Sequence, residues 1–174
     1  ADIISFNSTI SSCEKAAQWQ HAVSLFDSRK KVSPDIISFN AMISAFEKDG
    51  EWQQALHFFQ LISRSNLQPT VVSFNAIISA FEKGGQWQYA LSLFAHFLET
   101  NVQPDVISFS AAISSCEKTG QWQQALMLFA AMPGWRVLPS VVTFNATISA
   151  CEKCGEWMLG NGKGLPKTHL PHGS

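Results

Sequence analysis

Apolar residues along this chain fall into two alternating series, each with the spacing of a helix face. Between residues 71 and 105, Phe74, Ile77, Ile78 and Phe81 sit at i, i+3, i+4 and i+7, which places them on one side of a helix. Gly84-Gly85 interrupts the series, and Trp87, Ala90, Leu91, Phe94 and Phe97 then open a second one. That second series stops before residues 101–104, where Pro104 cannot donate to a continuing helix and biases Gln103 away from helical angles. No segment alternates with period two and no hairpin turn pair separates apolar runs, so strands are disfavoured. The predicted unit is helix A, tight turn, helix B, linker.

This unit recurs. Phe6, Phe39, Phe74, Phe109 and Phe144 form one column and Trp19, Trp52, Trp87, Trp122 and Trp157 another, both with spacings 33, 35, 35 and 35. Glu-Lys pairs (Glu14-Lys15, Glu47-Lys48, Glu82-Lys83, Glu117-Lys118, Glu152-Lys153), Ala22, Ala55, Ala90 and Ala125, and Pro34, Pro69, Pro104 and Pro139 keep the same register. The copies run 3–35, 36–70, 71–105 and 106–140, with a partial fifth at 141–159, and Ala1-Asp2 match the closing positions of a copy that would precede the first. A lone pair of amphipathic helices cannot bury its apolar faces, so copies must stack into a continuous core. The expectation is an all-α solenoid of αα-hairpins over residues 1–159. Two residues are missing between Phe26 and Pro34, which should shorten the first helix B. After Trp157 the Ala-Leu and aromatic stripe gives way to Met158-Leu159-Gly160-Asn161-Gly162-Lys163-Gly164. Glycine at that density opposes a helix by up to ~1 kcal/mol per residue, so residues 160–174 are expected to form a disordered Gly/Pro-rich tail and the last helix A an imperfect cap.

Composition narrows the chemistry. With 174 residues, 46% of them hydrophobic, the chain can build an ordinary core, and a net charge of −1 advertises neither a sequence-wide nucleic-acid field nor an acidic tail. No apolar run reaches the 18 or so residues a membrane span needs, and no targeting segment is visible. Four cysteines are too few and too irregularly spaced for a disulfide framework, which makes a reducing compartment the default.

A second stripe on helix A is not consumed by packing. Its second repeat position is Ile4, Ile37, Val72, Ile107 or Val142; its fifth is Asn7, Asn40, Asn75, Ser110 or Asn145; its ninth is always serine, at 11, 44, 79, 114 and 149. A lysine follows at the end of the same helix. Helix B and linker surfaces vary freely between copies while this stripe barely changes, which points to a groove carrying one hydrogen-bonding unit per repeat.

Segments such as Val71-Val72-Ser73-Phe74-Asn75-Ala76-Ile77-Ile78 and Ala90-Leu91-Ser92-Leu93-Phe94, closed by Pro104-Asp105, resemble the pentatricopeptide repeat family. The resemblance runs from Ala1 to about Leu159 and implies a right-handed superhelix that binds single-stranded RNA, one base per repeat. It implies base reading by the fifth and last positions: Asn7 with Asp35, Asn40 with Thr70, Asn75 with Asp105, Ser110 with Ser140, and Asn145 without a recognisable partner. It further implies base sandwiching by Ile4, Ile37, Val72, Ile107 and Val142, and phosphate contacts by Lys15, Lys48, Lys83, Lys118 and Lys153. By the family rule the target resembles a pyrimidine-rich strand, about U-Y-U-A-Y read 5′ to 3′. The resemblance suggests RNA processing or stabilisation in a chloroplast or mitochondrion. One departure has consequences: a glutamate directly precedes each phosphate-facing lysine, and once the tail's two lysines are set aside the repeats hold 10 basic against 13 acidic residues. Attraction to phosphate should therefore be weak.

Other signals are weaker than they look. Cys151-x2-Cys154 and His169-x2-His172 mimic a zinc set, but Cys151 shares a column with Cys13, Phe46, Phe81 and Cys116, and Pro171 lies between the two histidines. His21, His57 and His96 occupy unmatched positions on helix B and pair with no repeated nucleophile. The Trp column has core spacing. No phosphate loop, paired-carboxylate cleft or metal motif is present, so neither an enzyme nor a cofactor is expected within these residues. The competing reading is a protein- or peptide-binding scaffold resembling tetratricopeptide repeats, whose period is 34 and whose Trp and Tyr signature lies in helix A. An array with a purely structural role is a third.

Overall fold

The structure, a computed structural model, describes residues 3–16, 18–28 and 33–160, and side chains as far as residue 153. The tail expected to be disordered lies, beyond Gly160, outside the described residues. Among those described are nine α-helices and no strands: α1 (Ile3–Lys15), α2 (Trp19–Ser28), α3 (Ile36–Asp49), α4 (Trp52–Arg64), α5 (Val71–Lys83), α6 (Trp87–Glu99), α7 (Val106–Lys118), α8 (Trp122–Ala131) and α9 (Val141–Gly160). Odd-numbered helices are the A helices and even-numbered ones the B helices. A 3-10 turn, Met132–Trp135, continues α8. The fold is an all-α solenoid of helical hairpins.

The turn inside the second, third and fourth hairpins is set by glycine. Gly50, Gly85 and Gly120 occupy one column and take left-handed φ values of 74°, 68° and 72°, which cost glycine nothing and other residues about 1 kcal/mol or more. Gly84 serves a different purpose. A Cβ there would lie 2.4 Å from Trp52 Cδ1 and 2.9 Å from Trp52 Cγ, because the indole of the preceding copy stacks on Tyr89 and packs against Phe81.

The two ends of the array reveal which side of helix A faces which neighbour. Ala41, Met42 and Ala45 of α3, Ala76, Ile77 and Ala80 of α5, and Ala111, Ala112 and Ser115 of α7 are all buried. Their counterparts in α1, Ser8, Thr9 and Ser12, are exposed, so this side of the helix meets the preceding copy. Conversely Phe6 and Ile10 of α1 are buried, whereas the matching Phe144 and Ile148 of α9 are 50% and 54% exposed. That side faces the copy's own helix B and the copy that follows.

Successive A helices pack directly on one another, and each B helix packs on its own A helix and on the next. Successive B helices reach each other through aromatic rings, Phe26 with Phe58 at 5.1 Å and Trp52 with Tyr89 at 5.6 Å. A stack whose A layer is the more closely spaced curves around that layer, so the A helices form the inner wall. Phe26, Phe58, Phe74, Phe94, Phe97 and Phe109 fill the space between layers with edge-on and stacked ring pairs, worth about 0.5–1.5 kcal/mol each beyond their burial.

An ionic ladder runs along the C-terminal ends of the A helices. Lys48 pairs with Glu14 at 3.0 Å, Lys83 with Glu47 at 2.7 Å and Lys118 with Glu82 at 2.9 Å, and Lys153 closes on Glu117. Each glutamate thus engages the lysine one copy on, not its sequence neighbour. Burial pulls the Glu117 carboxyl upward, but hydrogen bonds from Lys153 and Ser149 and the charges of Lys153 and Lys118 outweigh it and hold the group below its ordinary range.

The last helix departs from the other A helices. Gly155 stands in the turn-glycine column, yet α9 runs on through it to Gly160. Gly155 therefore does not end the helix at the point where the earlier copies turn. A turn is held down only when the chain beyond it packs back, and the residues after Trp157 lack the Ala-Leu and aromatic stripe of the other B helices. Continued helix satisfies the backbone locally without such packing.

Two expectations follow for stability. Gly84→Ala should lower stability by about 1–3 kcal/mol through overpacking, read as a drop in urea midpoint, and adding Trp52→Leu should recover part of it; an unchanged midpoint would mean the indole does not sit there. For Glu117 the folded carboxyl titrates below its unfolded value of 4.5, so its contribution is complete above that pH and is lost as pH falls through the folded value. The urea midpoint should decline below about pH 4.5, and Glu117→Gln should make that decline shallower by no more than ~1 kcal/mol for so exposed a pair.

Candidate nucleic-acid interface

The second repeat positions form an apolar line along the inner wall. Ile37, Val72 and Ile107 are 57%, 54% and 57% exposed, and Ile4 and Val142 are exposed further still. Aliphatic residues in solvent at regular intervals do nothing for the core, and a continuous exposed patch of this kind marks a binding surface.

Between them lie the amides. Asn7, Asn40 and Asn75 are half-buried, reachable from the groove but walled on their sides by the next copy. The Asn7 Nδ2 donates to Asp35 Oδ1 at 3.1 Å and Oδ2 at 3.3 Å, the Asn75 Nδ2 to Asp105 Oδ1 at 3.1 Å, and the Asn40 Nδ2 to Thr70 Oγ1 at 3.4 Å. Three of the sequence-expected pairs are thus brought together across the junction between copies. The fourth is not: the Ser110 hydroxyl donates back to the Val106 carbonyl at 2.6 Å and shares no hydrogen bond with Ser140, because serine is too short to cross. Asn145, on α9, is exposed.

Position thirty-five holds its partner for a second reason. Asp35, Thr70 and Asp105 are the N-cap residues of α3, α5 and α7, each in a capping box with the serine three residues on. These serines, Ser38, Ser73 and Ser108, are fully buried, and their hydroxyls also donate to the amide oxygen of the preceding copy, at 2.5 Å to Asn7 and 2.6 Å to Asn40 and Asn75. Burial pulls the Asp35 carboxyl upward, but hydrogen bonds from the Ser38 backbone, Asn7 and the Ser38 hydroxyl outweigh it, for a net shift below its ordinary value. The serine column was absent from the sequence-derived site. Its signal was in plain view, since Asp-x-x-Ser and Thr-x-x-Ser at the start of every interior copy is a capping pattern.

A groove of about 260 Å³ shows how the parts meet: Val72 and Ile107, from successive copies, flank Asn75 and Asp105, with Ser44 and Ser79 along the wall. Larger clefts open at the linker edge, about 640 Å³ beside Trp135 and Arg136 and about 580 Å³ beside Phe59 and Asn101; they fall at the same junction in successive copies, Gln68-Pro69 matching Gln103-Pro104, but their other residues vary, Thr100-Asn101 against Trp135-Arg136. The lysines expected to face phosphate are partly exposed and, from Lys48 onward, already paired in the ladder; Lys15, in the first copy, is exposed. Ser149 alone among the ninth-position serines has a hydrogen bond in the ladder, to Glu117 at 2.9 Å.

Three of the tryptophans expected in the core, Trp19, Trp52 and Trp122, are partly buried against it, and Trp19 packs on Phe46 of the next copy at 5.6 Å. Among the described residues no group of side chains could hold a metal ion; Cys154, His169 and His172 of the apparent zinc set have no described side chains. Cys116 is buried, which raises its thiol to about 11. No described helix is long and apolar enough to cross a membrane.

Comparisons with known proteins agree with this geometry. The model of the PPR repeat family matches residues 34–81, 69–118 and 105–153, and that of the PPR repeat matches residues 4–28. Among curated protein sequences none matches the chain. The pentatricopeptide repeat protein PPR10, solved in complex with an 18-nt psaJ RNA element, is 23% identical with a TM-score of 0.74 over 95% of this chain. This chain spans 26% of that one's length. PPR10 from maize matches over 93% of the chain with a TM-score of 0.75 at 23% identity, and covers 24% of its own length. The PPR domain of Arabidopsis thaliana protein-only RNase P 1, solved in complex with tRNA, is 14% identical with a TM-score of 0.75, over 95% of this chain and 93% of that domain. With family models matching most of its length and the same hairpin stack in its structure, the chain belongs to the pentatricopeptide repeat family.

Proposed function

We propose that the inner wall binds single-stranded RNA with one base per repeat, each base wedged between successive second-position aliphatic residues and read by the amide between them. The observation that supports this best is the groove in which Val72 and Ile107 flank the Asn75–Asp105 pair. Apolar walls favour the face of a base, and a donor and an acceptor between them suit its edge. Similar solenoids solved with RNA bound favour the same reading. Asn7–Asp35 and Asn75–Asp105 fit a uracil reader, Asn40–Thr70 a weaker pyrimidine reader and Ser110–Ser140 a weak adenine reader, giving about U-Y-U-A-Y with Asn145 last. We extend the proposal to a chloroplast or mitochondrial setting and a role in RNA processing or stabilisation.

The ladder explains why phosphate contributes little. Each lysine from Lys48 onward is neutralised by a glutamate before any RNA arrives, so binding energy comes from burial of base faces and from the amides.

Two measurements test this. Fluorescence anisotropy with U-Y-U-A-Y strands, purine-only strands and duplex RNA should show weak binding that favours the first. Val72→Asp with Ile107→Asp should abolish it while stability stays within about 0.5 kcal/mol, as for exposed positions; equal binding of all three ligands, or retained binding in the variant, would remove the model. In Glu47→Gln/Glu82→Gln/Glu117→Gln the freed lysines should raise affinity and steepen the dependence of log K on log salt by about 0.7 for each lysine recruited. An unchanged slope would show that phosphates do not reach the ladder.

A further inference from the structure

We propose that Ser38, Ser73 and Ser108 are positioning residues that fix which edge of the reading amide the groove presents, and that the residue at position thirty-five decides how firmly. This rests on the amide-reading model above. Each serine has one hydroxyl proton, and the nearest acceptor is the amide oxygen of the preceding copy, 2.5 Å from Ser38 and 2.6 Å from Ser73 and Ser108. The other side of the hydroxyl is taken, because the backbone N–H of Asp35, Thr70 or Asp105 donates into it. With each serine fully buried, no water competes for its proton; the competing acceptors are the Asp35 and Asp105 carboxylates, which lie farther off at 2.9 and 3.0 Å.

The amide oxygen is therefore occupied from behind. At the first and third copies one amide N–H is spent on the carboxylate of Asp35 or Asp105. Turning the amide over would set its oxygen against that carboxylate, with no proton between them. What remains for a ligand is the second amide N–H, a donor, and the outer carboxylate oxygen, an acceptor. A base that needs an acceptor from the amide finds none.

The second copy differs in one atom type. Thr70 carries a hydroxyl that can donate as well as accept. With the amide reversed, Thr70 could donate to the Asn40 oxygen while the Asn40 nitrogen donates to Ser73, so both orientations are satisfied. Asn40 should present either a donor or an acceptor and discriminate poorly, from the same serine and the same asparagine that discriminate well beside an aspartate.

The test uses the whole chain and a set of pentamers varied only at the nucleotide opposite the third copy. Wild type should prefer one base there by about tenfold, the scale of a well-made side-chain contact to a base edge. Ser108→Ala should lower that ratio clearly but not to parity, because the Asp105 carboxylate still opposes the turned amide, without altering preferences at the other nucleotides, and Ser108→Thr, which keeps the hydroxyl and matches Thr143 in the same column, should retain it. Ser73→Ala should move its own register much less. Without RNA, the chemical-shift separation of the two Asn75 side-chain amide protons should move in Ser108→Ala toward that of a free asparagine, whose two protons stay distinct because the amide C–N bond rotates slowly. If Ser108→Ala lowers the melting temperature and overall affinity but leaves the base ratio and the Asn75 amide signals unchanged, the serine is only a cap and the proposal is wrong. If wild type shows no preference at that nucleotide, the amide-reading model falls and the serine's role with it.

Discussion

An isolated helical hairpin cannot cover its own helix A, and that constraint sets the rest of the structure. Interior A helices offer small and aliphatic residues to the copy before them, Ala41, Met42 and Ala45 in α3 and Ala76, Ile77 and Ala80 in α5, and these can be buried only by another helix A. Small side chains let the backbones approach closely, so the A layer is the tight one and curves inward. The same contact fixes translation from copy to copy. An exposed aliphatic residue, a half-buried amide and a lysine on one helix therefore become three parallel lines on the inner wall.

The junction between copies carries two tasks at once. Asp35 and Asp105 cap the following helix and hold the amide of the preceding one, and a buried serine closes the triangle. A residue needed for capping is thereby placed beside the fifth-position amide, and its hydrogen bonds to Ser38 and Asn7 outweigh the cost of burying the Asp35 carboxylate, which is why a polar constellation survives at a close-packed interface. The ladder at the other end of the same helices cancels the lysine charge copy by copy. On the proposed reading, specific hydrogen bonds and apolar walls carry recognition, with long-range attraction a minor part.

Much of this was legible in the residues. Helix faces, turns and the stacking requirement followed from the period of Phe, Trp, Ala and Pro, because local spacing determines which side chains share a face. Three pairs of fifth and last positions could be named by matching the residues to the repeat pattern, and hydrogen bonds join their side chains. What could not be read were partners one copy away. Glu82 stands next to Lys83 in the chain but pairs with Lys118, and only the stacking geometry decides between them. Ser110 and Ser140 share no hydrogen bond, and the Ser110 hydroxyl turns back to its own helix, an outcome of side-chain length across a gap whose width the sequence does not state. The run of α9 past Gly155 shows a complementary limit: a turn glycine permits a turn, but packing beyond it decides whether one forms. The serine column is visible in the sequence, but a cap and a positioning group look alike in one dimension.

The claim on which all of this depends is that ligand meets the A layer between second-position side chains. Methyl-resolved NMR of the chain titrated with a single-stranded pyrimidine pentamer tests it most directly. The account predicts that shifts concentrate on the methyl groups of Ile37, Val72 and Ile107 and on the Asn75 amide, with Val23, Leu56 and Leu91 of the B helices unmoved. Perturbations centred on the B helices, or on the linker clefts beside Trp135, would contradict it.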